Sequence, residues 1–99
     1  MTNIIIGLLY STTRETLQKV TAEIYAELSK FEEIKTDSLL VKFDNFSASS
    51  LDVKISYNSY PIPGPAHLAL KEKVNLKIME VVEKHDTDFA YNTVTVVIG

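Results

Sequence analysis

The side chains able to do chemistry are few and scattered. The two histidines, His67 and His85, fall at opposite ends of a stretch whose apolar residues recur at helical spacing. On a helix with a 1.5 Å rise per residue they stand about 27 Å apart, too far to share a metal ion. His85 at a helix C-terminus is explained by the negative end of the helix dipole. The single arginine, Arg14, sits where an apolar strand gives way to a helix, a place where anions can bind. The loop before it, Ser11-Thr12-Thr13, has no glycine to bring backbone close to a phosphate. Glu32 and Glu33 fall in a polar connection and read as solvated carboxylates, not as an acid–base pair. Ser49 and Ser50 belong to a turn. The three glycines, Gly7, Gly64 and Gly99, exclude a glycine-rich phosphate loop, and the absence of cysteine excludes disulfides, thiolate metal sites and a thiol nucleophile. No catalytic, cofactor-binding or metal-ligating residue is therefore assigned, no cofactor is expected, and the residues point to a scaffold or binding module instead of an enzyme.

Charge and composition narrow the partners. Lys and Arg number 10 and Asp and Glu 13 over 99 residues, a formal charge of −3. A weakly acidic domain has no basic field, which speaks against nucleic acid as a partner. Tyr10 and Tyr57 are the aromatics offered by the first and third strands, and no basic-glycine-aromatic motif of RNA-binding domains accompanies them. The hydrophobic fraction of 45% is that of a folded chain. Its longest apolar run, Ile4 to Tyr10, is far below the roughly 18 to 20 residues of a spanning helix, and it has neither the basic start nor the cleavage site of a signal peptide.

The elements follow from periodicity. Ile4 to Tyr10 reads as a central strand buried on both faces. Thr12 with Glu15 fits a capping box, after which Leu17, Val20, Ile24, Leu28 and Phe31 recur every three or four residues, predicting an amphipathic helix over 13–31. Its outer face carries Glu15, Lys19, Glu23, Glu27 and Lys30. Leu39, Val41 and Phe43 alternate with Leu40, Lys42 and Asp44, and Leu51, Val53, Ile55 and Tyr57 with Asp52, Lys54 and Ser56, giving a hairpin closed by the turn chemistry of residues 45–49. Residues 58–65 hold all three prolines and form a stiff connector, with Pro65 at the first helical position. Leu70, Val74, Ile78 and Val81 mark a second helix over 66–85, and Leu68, Leu76, Met79 and Val82 spread its apolar surface beyond one stripe. Asp86 reads as a left-handed C-cap. Thr93 to Ile98, rich in β-branched residues, reads as a last strand. The order β-α-β-β-α-β with right-handed crossovers gives an α+β fold: a ferredoxin-like sandwich with one antiparallel sheet and two helices on one face, a single domain over residues 1–99.

Four segments, in order, carry a resemblance. They are Ile6-Gly7-Leu8-Leu9-Tyr10-Ser11-Thr12 with the helix start after it; Leu40-Val41-Lys42-Phe43 with Ser49-Ser50-Leu51; Lys71-Glu72-Lys73-Val74-Asn75-Leu76-Lys77-Ile78-Met79; and Phe89-Ala90-Tyr91 with Thr93-Val94-Thr95-Val96. Together they resemble the cytoplasmic C-terminal domain of small-conductance mechanosensitive channels, the MscS family. The chain departs from the family's pattern at Ser47 and Ala48, where glycine and aspartate are usual, at Asn92 in place of proline, and at Asp86 in place of glycine.

The resemblance implies a piece of a larger channel that releases ions and small solutes under membrane tension. The full channel is expected to be a homoheptamer at the cell membrane, with this domain on the cytoplasmic face as part of a hollow vestibule. The piece would meet the membrane only through a pore domain outside these residues, and self-association would be its main interaction. Residues 93–98 would be the strand of a C-terminal β-barrel shared by the subunits. The alternative is a free-standing ferredoxin-like regulatory or protein-interaction module.

Overall fold

The structure, a computed structural model, describes residues 1–90. Strand β1 (Thr2–Leu8) is followed by helix α1 (Arg14–Leu28), a short 3-10 turn (Thr36–Ser38), strands β2 (Leu40–Phe46) and β3 (Leu51–Tyr57), and helix α2 (Gly64–Lys84). The strands form one antiparallel sheet in the order β1-β3-β2. The fold is thus α+β, with β3 at the centre of the described sheet. The last strand expected over Thr93–Ile98 lies outside the described residues, and the described sheet has three strands.

Register explains which side chains are buried. Ile4 pairs with Ile55, Ile6 with Val53 and Leu8 with Leu51, while Val41 and Phe43 pair with the same Ile55 and Val53 from the other side. Side chains alternate between faces along a strand, so these residues share one face. That face meets Leu17, Val20, Ile24 and Leu28 of α1 and Leu70, Val74, Ile78, Val81 and Val82 of α2 in a single core. The two helices also pack against each other. Among the described residues no helix is long and apolar enough to cross a membrane.

Several expectations are corrected. The first strand is not buried on both faces. It spans Thr2–Leu8, and its Ile5, pointing away from the helices, is 61% exposed, as are Leu9 and Tyr10 in part beyond its end. The apolar run reflects one core face plus an uncovered apolar residue, which periodicity within a continuous run does not separate. The cap of α1 is Thr13, whose side chain accepts from the Thr16 backbone N–H at 3.1 Å, not Thr12 with Glu15. Thr12 is occupied elsewhere, 2.6 Å from the Thr87 hydroxyl. The helix ends at Leu28, and Phe31 packs on the core from the loop beyond. In α2, Gly64 takes the first helical position and Pro65 the second, after a Pro63 N-cap. Asp86 is not a left-handed cap: no described non-glycine residue has positive φ, and His85 ends the helix in extended conformation.

Ile78 is 2% exposed in the middle of α2. Ile78→Ala is expected to lower unfolding free energy by about 2 to 5 kcal/mol, the range for truncating a buried isoleucine. Urea titration checks this, and a loss below about 0.5 kcal/mol would remove Ile78 from the core.

Candidate functional site

Two polar clusters and three apolar surfaces stand out. The first cluster is the seam between the helices. Helix α1 contributes carboxylates and α2 contributes cations. Glu23 meets Lys84 at 2.6 Å and His85 Nε2 at 2.8 Å, and Glu27 meets Lys77 at 3.6 Å. Just past the end of α1, Glu33 meets Lys73 at 2.9 Å. Residue numbers rise on one side as they fall on the other, as antiparallel helices require. The seam corrects the expectation that Glu23 and Glu27 sit on a solvated outer face, since both are half-buried. The hydrogen bond from Lys84, then that from His85, holds the Glu23 carboxyl below the usual carboxylate range. Lys30 chiefly, with Lys77, does the same for Glu27, and Lys73 for Glu33. Lys77 and Lys84 are raised in turn, mainly by Glu80 and Glu23 respectively.

The second cluster closes one corner of the sheet. The Ser50 hydroxyl donates to Asp52 Oδ1 at 2.7 Å, and the Ser47 hydroxyl donates to Asp52 Oδ2. The Tyr10 hydroxyl donates to the Ser47 carbonyl. The β2–β3 turn is thereby fastened to the end of β1. Gly7 lies opposite Asp52 in register, and a Cβ there would come 2.9 Å from both Cβ and Oγ of Ser50. The need for glycine is close approach, not backbone conformation.

The segment after α2 returns to this same strand. The Leu9 N–H donates to the Asp88 carbonyl at 3.1 Å, the Ala90 N–H to the Gly7 carbonyl at 2.8 Å, and Leu8 bridges Phe89 in antiparallel sense. Residues 85–90 are therefore clamped twice, to α1 through His85 and to the outer edge of β1.

The apolar surfaces are exposed. On α2, Leu68, Leu76 and Met79 are 72%, 57% and 46% exposed. Between α1 and the edge strand β2 runs an open groove of about 510 Å³, lined by Thr21, Ala22 and Tyr25 on one side and Leu40 and Lys42 on the other. At the far end of β2, Phe43 and Phe46 stack edge-to-face at 5.0 Å, with Phe46 largely in solvent. Contiguous exposed apolar surface on a small domain marks contact with a partner.

The residues weighed for chemistry are dispersed. Arg14 is exposed at the start of α1, His67 is exposed in the first turn of α2, and Tyr57 is buried in the core. His85 joins the helix seam, and Ser50 joins the Asp52 corner while Ser49 points to solvent. Sequence reading missed the seam, although its signal was present: glutamates four apart at 23 and 27 face lysines at 73, 77 and 84 once the helices are set antiparallel.

The family model described as "Mechanosensitive ion channel MscS, C-terminal" matches residues 2–89. An MscS family protein of Aquifex aeolicus (strain VF5), described as uncharacterized, is 38% identical over 87 residues. The match takes in 87% of this chain and 24% of that relative, so the chain spans about a quarter of its length.

Gly7→Ala is expected to destabilise the fold by about 1 to 3 kcal/mol through overpacking against Ser50. Adding Ser50→Gly should return part of the loss, because it removes the atoms that clash. A double-mutant cycle by denaturant unfolding checks this, and strictly additive losses would exclude the contact. The seam gives a pH dependence. Depressed glutamate values mean stability that is present above the ordinary glutamate range and is lost as pH falls through the lowered folded values. Melting temperature should therefore drop on acidification below about pH 4.5, and Glu23→Gln should make that drop shallower. An unchanged acid limb in the variant would show that Glu23 adds nothing.

Proposed function

The chain belongs to the MscS family, to whose C-terminal domain it corresponds, and on that premise we propose that it is the wall-forming assembly domain of a tension-gated channel. The observation that carries this beyond family membership is the surplus of exposed apolar side chains on a domain whose polar groups are satisfied internally. Among the described residues no buried side-chain nitrogen or oxygen lacks a hydrogen-bond partner. Such a molecule gains free energy from contact through its exposed apolar side chains. In the channel it holds the subunits in register on the cytoplasmic side, around a vestibule, and transmits changes at subunit interfaces to the pore. The number of subunits is proposed as seven, by the family's pattern. The net acidic charge of the wall biases which ions collect inside, over about the 8 Å that screening allows at physiological ionic strength.

The domain spans residues 1–99 as one unit, and the stretch 93–98 is proposed as the strand contributed to a barrel shared among subunits. Two features support that placement. The chain is held up to Ala90 against the outer edge of β1. The sequence beyond is a β-branched run with strong sheet preference.

The test is electrical. The complete reading frame that encodes this chain, placed in a bacterial strain lacking its own tension-gated channels, is expected to give tension-activated current in excised patches and survival of osmotic downshock. A frame that begins and ends with these 99 residues, together with saturable thermal stabilisation by a small molecule, would favour the free-standing regulatory module instead.

A further inference from the structure

The exposed stripe of α2 and the α1–β2 groove lie on opposite flanks of the helix pair. Leu68 and Met79 are eleven residues apart, about three helical turns, and so stand on one line. Lys77, which reaches Glu27 of α1, is nine residues from Leu68, about two and a half turns. Leu68 and Met79 therefore leave α2 on the side away from α1, whereas Leu76, about 80° further round the helix, lies beside Phe31, Lys73 and Lys77 toward the seam. On α1, Tyr25 is two residues from both Glu23 and Glu27, about 200° around the helix from the residues that face α2. The groove it lines is thus the opposite flank of the molecule.

The two flanks match in charge as well as in polarity. Glu72 lies between Leu68 and Leu76, one turn from each, and Glu83 lies one turn beyond Met79. Neither is in an ion pair among the described residues. Lys42 stands at the rim of the groove, likewise without an ion-pair partner among the described residues. One flank is thus an apolar ridge with spare carboxylates, and the other an apolar trough with a spare ammonium. A ridge and a trough on opposite sides of the same molecule cannot meet within one chain. They can meet between copies, head to tail, and a head-to-tail contact closes into a ring when its rotation allows.

Building on the assembly role above, we propose that the outward stripe of α2 in one copy seats in the α1–β2 groove of a second copy of this chain, with Glu72 meeting Lys42. Leu68 and Met79, on one line of the helix three turns apart, supply the anchors. The charge pair sets direction.

The chain has no cysteine, so engineered thiols report without background. Ala22→Cys and Met79→Cys are made separately in the full 99-residue chain, with circular dichroism confirming native folding. Under mild oxidation the mixture of the two is expected to give a cross-linked pair at about tenfold the yield of either alone, and the double variant a ladder of higher species. Lys42→Glu and Glu72→Lys should each weaken self-association in sedimentation about tenfold, by setting like charges against each other, and their combination in one chain should restore it. Oligomers that form without the 22–79 cross-link, or that ignore both charge reversals, overturn this contact and leave the assembly role standing. Equal cross-linking of Ala22→Cys with itself overturns the head-to-tail geometry. A monomer at every concentration up to about 1 mM, the Kd at which association free energy is only about 4 kcal/mol, overturns the contact together with assembly by this domain.

Discussion

Strand β3 is the constraint on which the structure rests. Among the described strands it is the one paired with a strand on each side, and Leu51, Val53, Ile55 and Tyr57 along it are all buried. The registers of β1 and β2 are both fixed against it, so a slip of one residue on either side would turn a whole row of core side chains into solvent. Both helices cover the face these residues define. The other face carries Asp52, Lys54 and the uncovered Ile5, and no described element covers it. A one-sided sheet has to concentrate its apolar burial in one layer, which is why both helices must lie side by side and why their seam matters.

That seam and the Asp52 corner act on different degrees of freedom. Apolar packing holds the helices onto the sheet but tolerates sliding along their axes. The glutamate–lysine ladder adds position along the axis, because each carboxylate meets a particular ammonium. Individually such partly exposed pairs contribute little to stability, and their value lies in register more than in energy. The corner does the equivalent for the sheet. Asp52 receives hydroxyls from both ends of the turn, and Tyr10 ties that turn to the exit of β1. Residues 85–90 then bind to both systems at once, to Glu23 of the seam and to Gly7 of the corner strand. The last described stretch is thus aimed by the whole domain and not by its local sequence.

The legible part of this fold was the part written in periodicity. The spacing of Leu17, Val20, Ile24 and Leu28, and that of Leu70, Val74, Ile78 and Val81, gave both helices and their buried faces. The alternation in 51–57 gave β3 to the residue. What failed was local competition between equivalent residues. Thr12 and Thr13 are both good caps, and the choice fell to Thr13 because Thr12 is held by Thr87, a residue 75 positions away. Likewise Ile4, Ile5 and Ile6 are chemically alike, and only the pairing with β3 decides which one faces out. The family resemblance rested on order and spacing of four weak segments and is upheld over residues 2–89. The seam was legible only as spacing, in the glutamates at 23 and 27 and the lysines at 73, 77 and 84, because which of them meet, like the partners of Asp52, is decided once the chain has folded.

A domain of this kind works through its surface. Its buried polar side chains are satisfied among the described residues, its core is continuous, and part of its charge (Glu23, Glu27, Glu33, Lys73, Lys77 and Lys84) holds the helices together. Exposed apolar side chains remain as well: Leu68 and Met79 on one flank, Leu76 beside the seam, the groove beside Tyr25 on the other flank, Phe46 at the end of the edge strand, and Ile5 on the outer face of the sheet. For an isolated monomer these side chains cost solubility and return nothing, since water gains no contact from them. For a subunit in a closed assembly they are the means of cohesion.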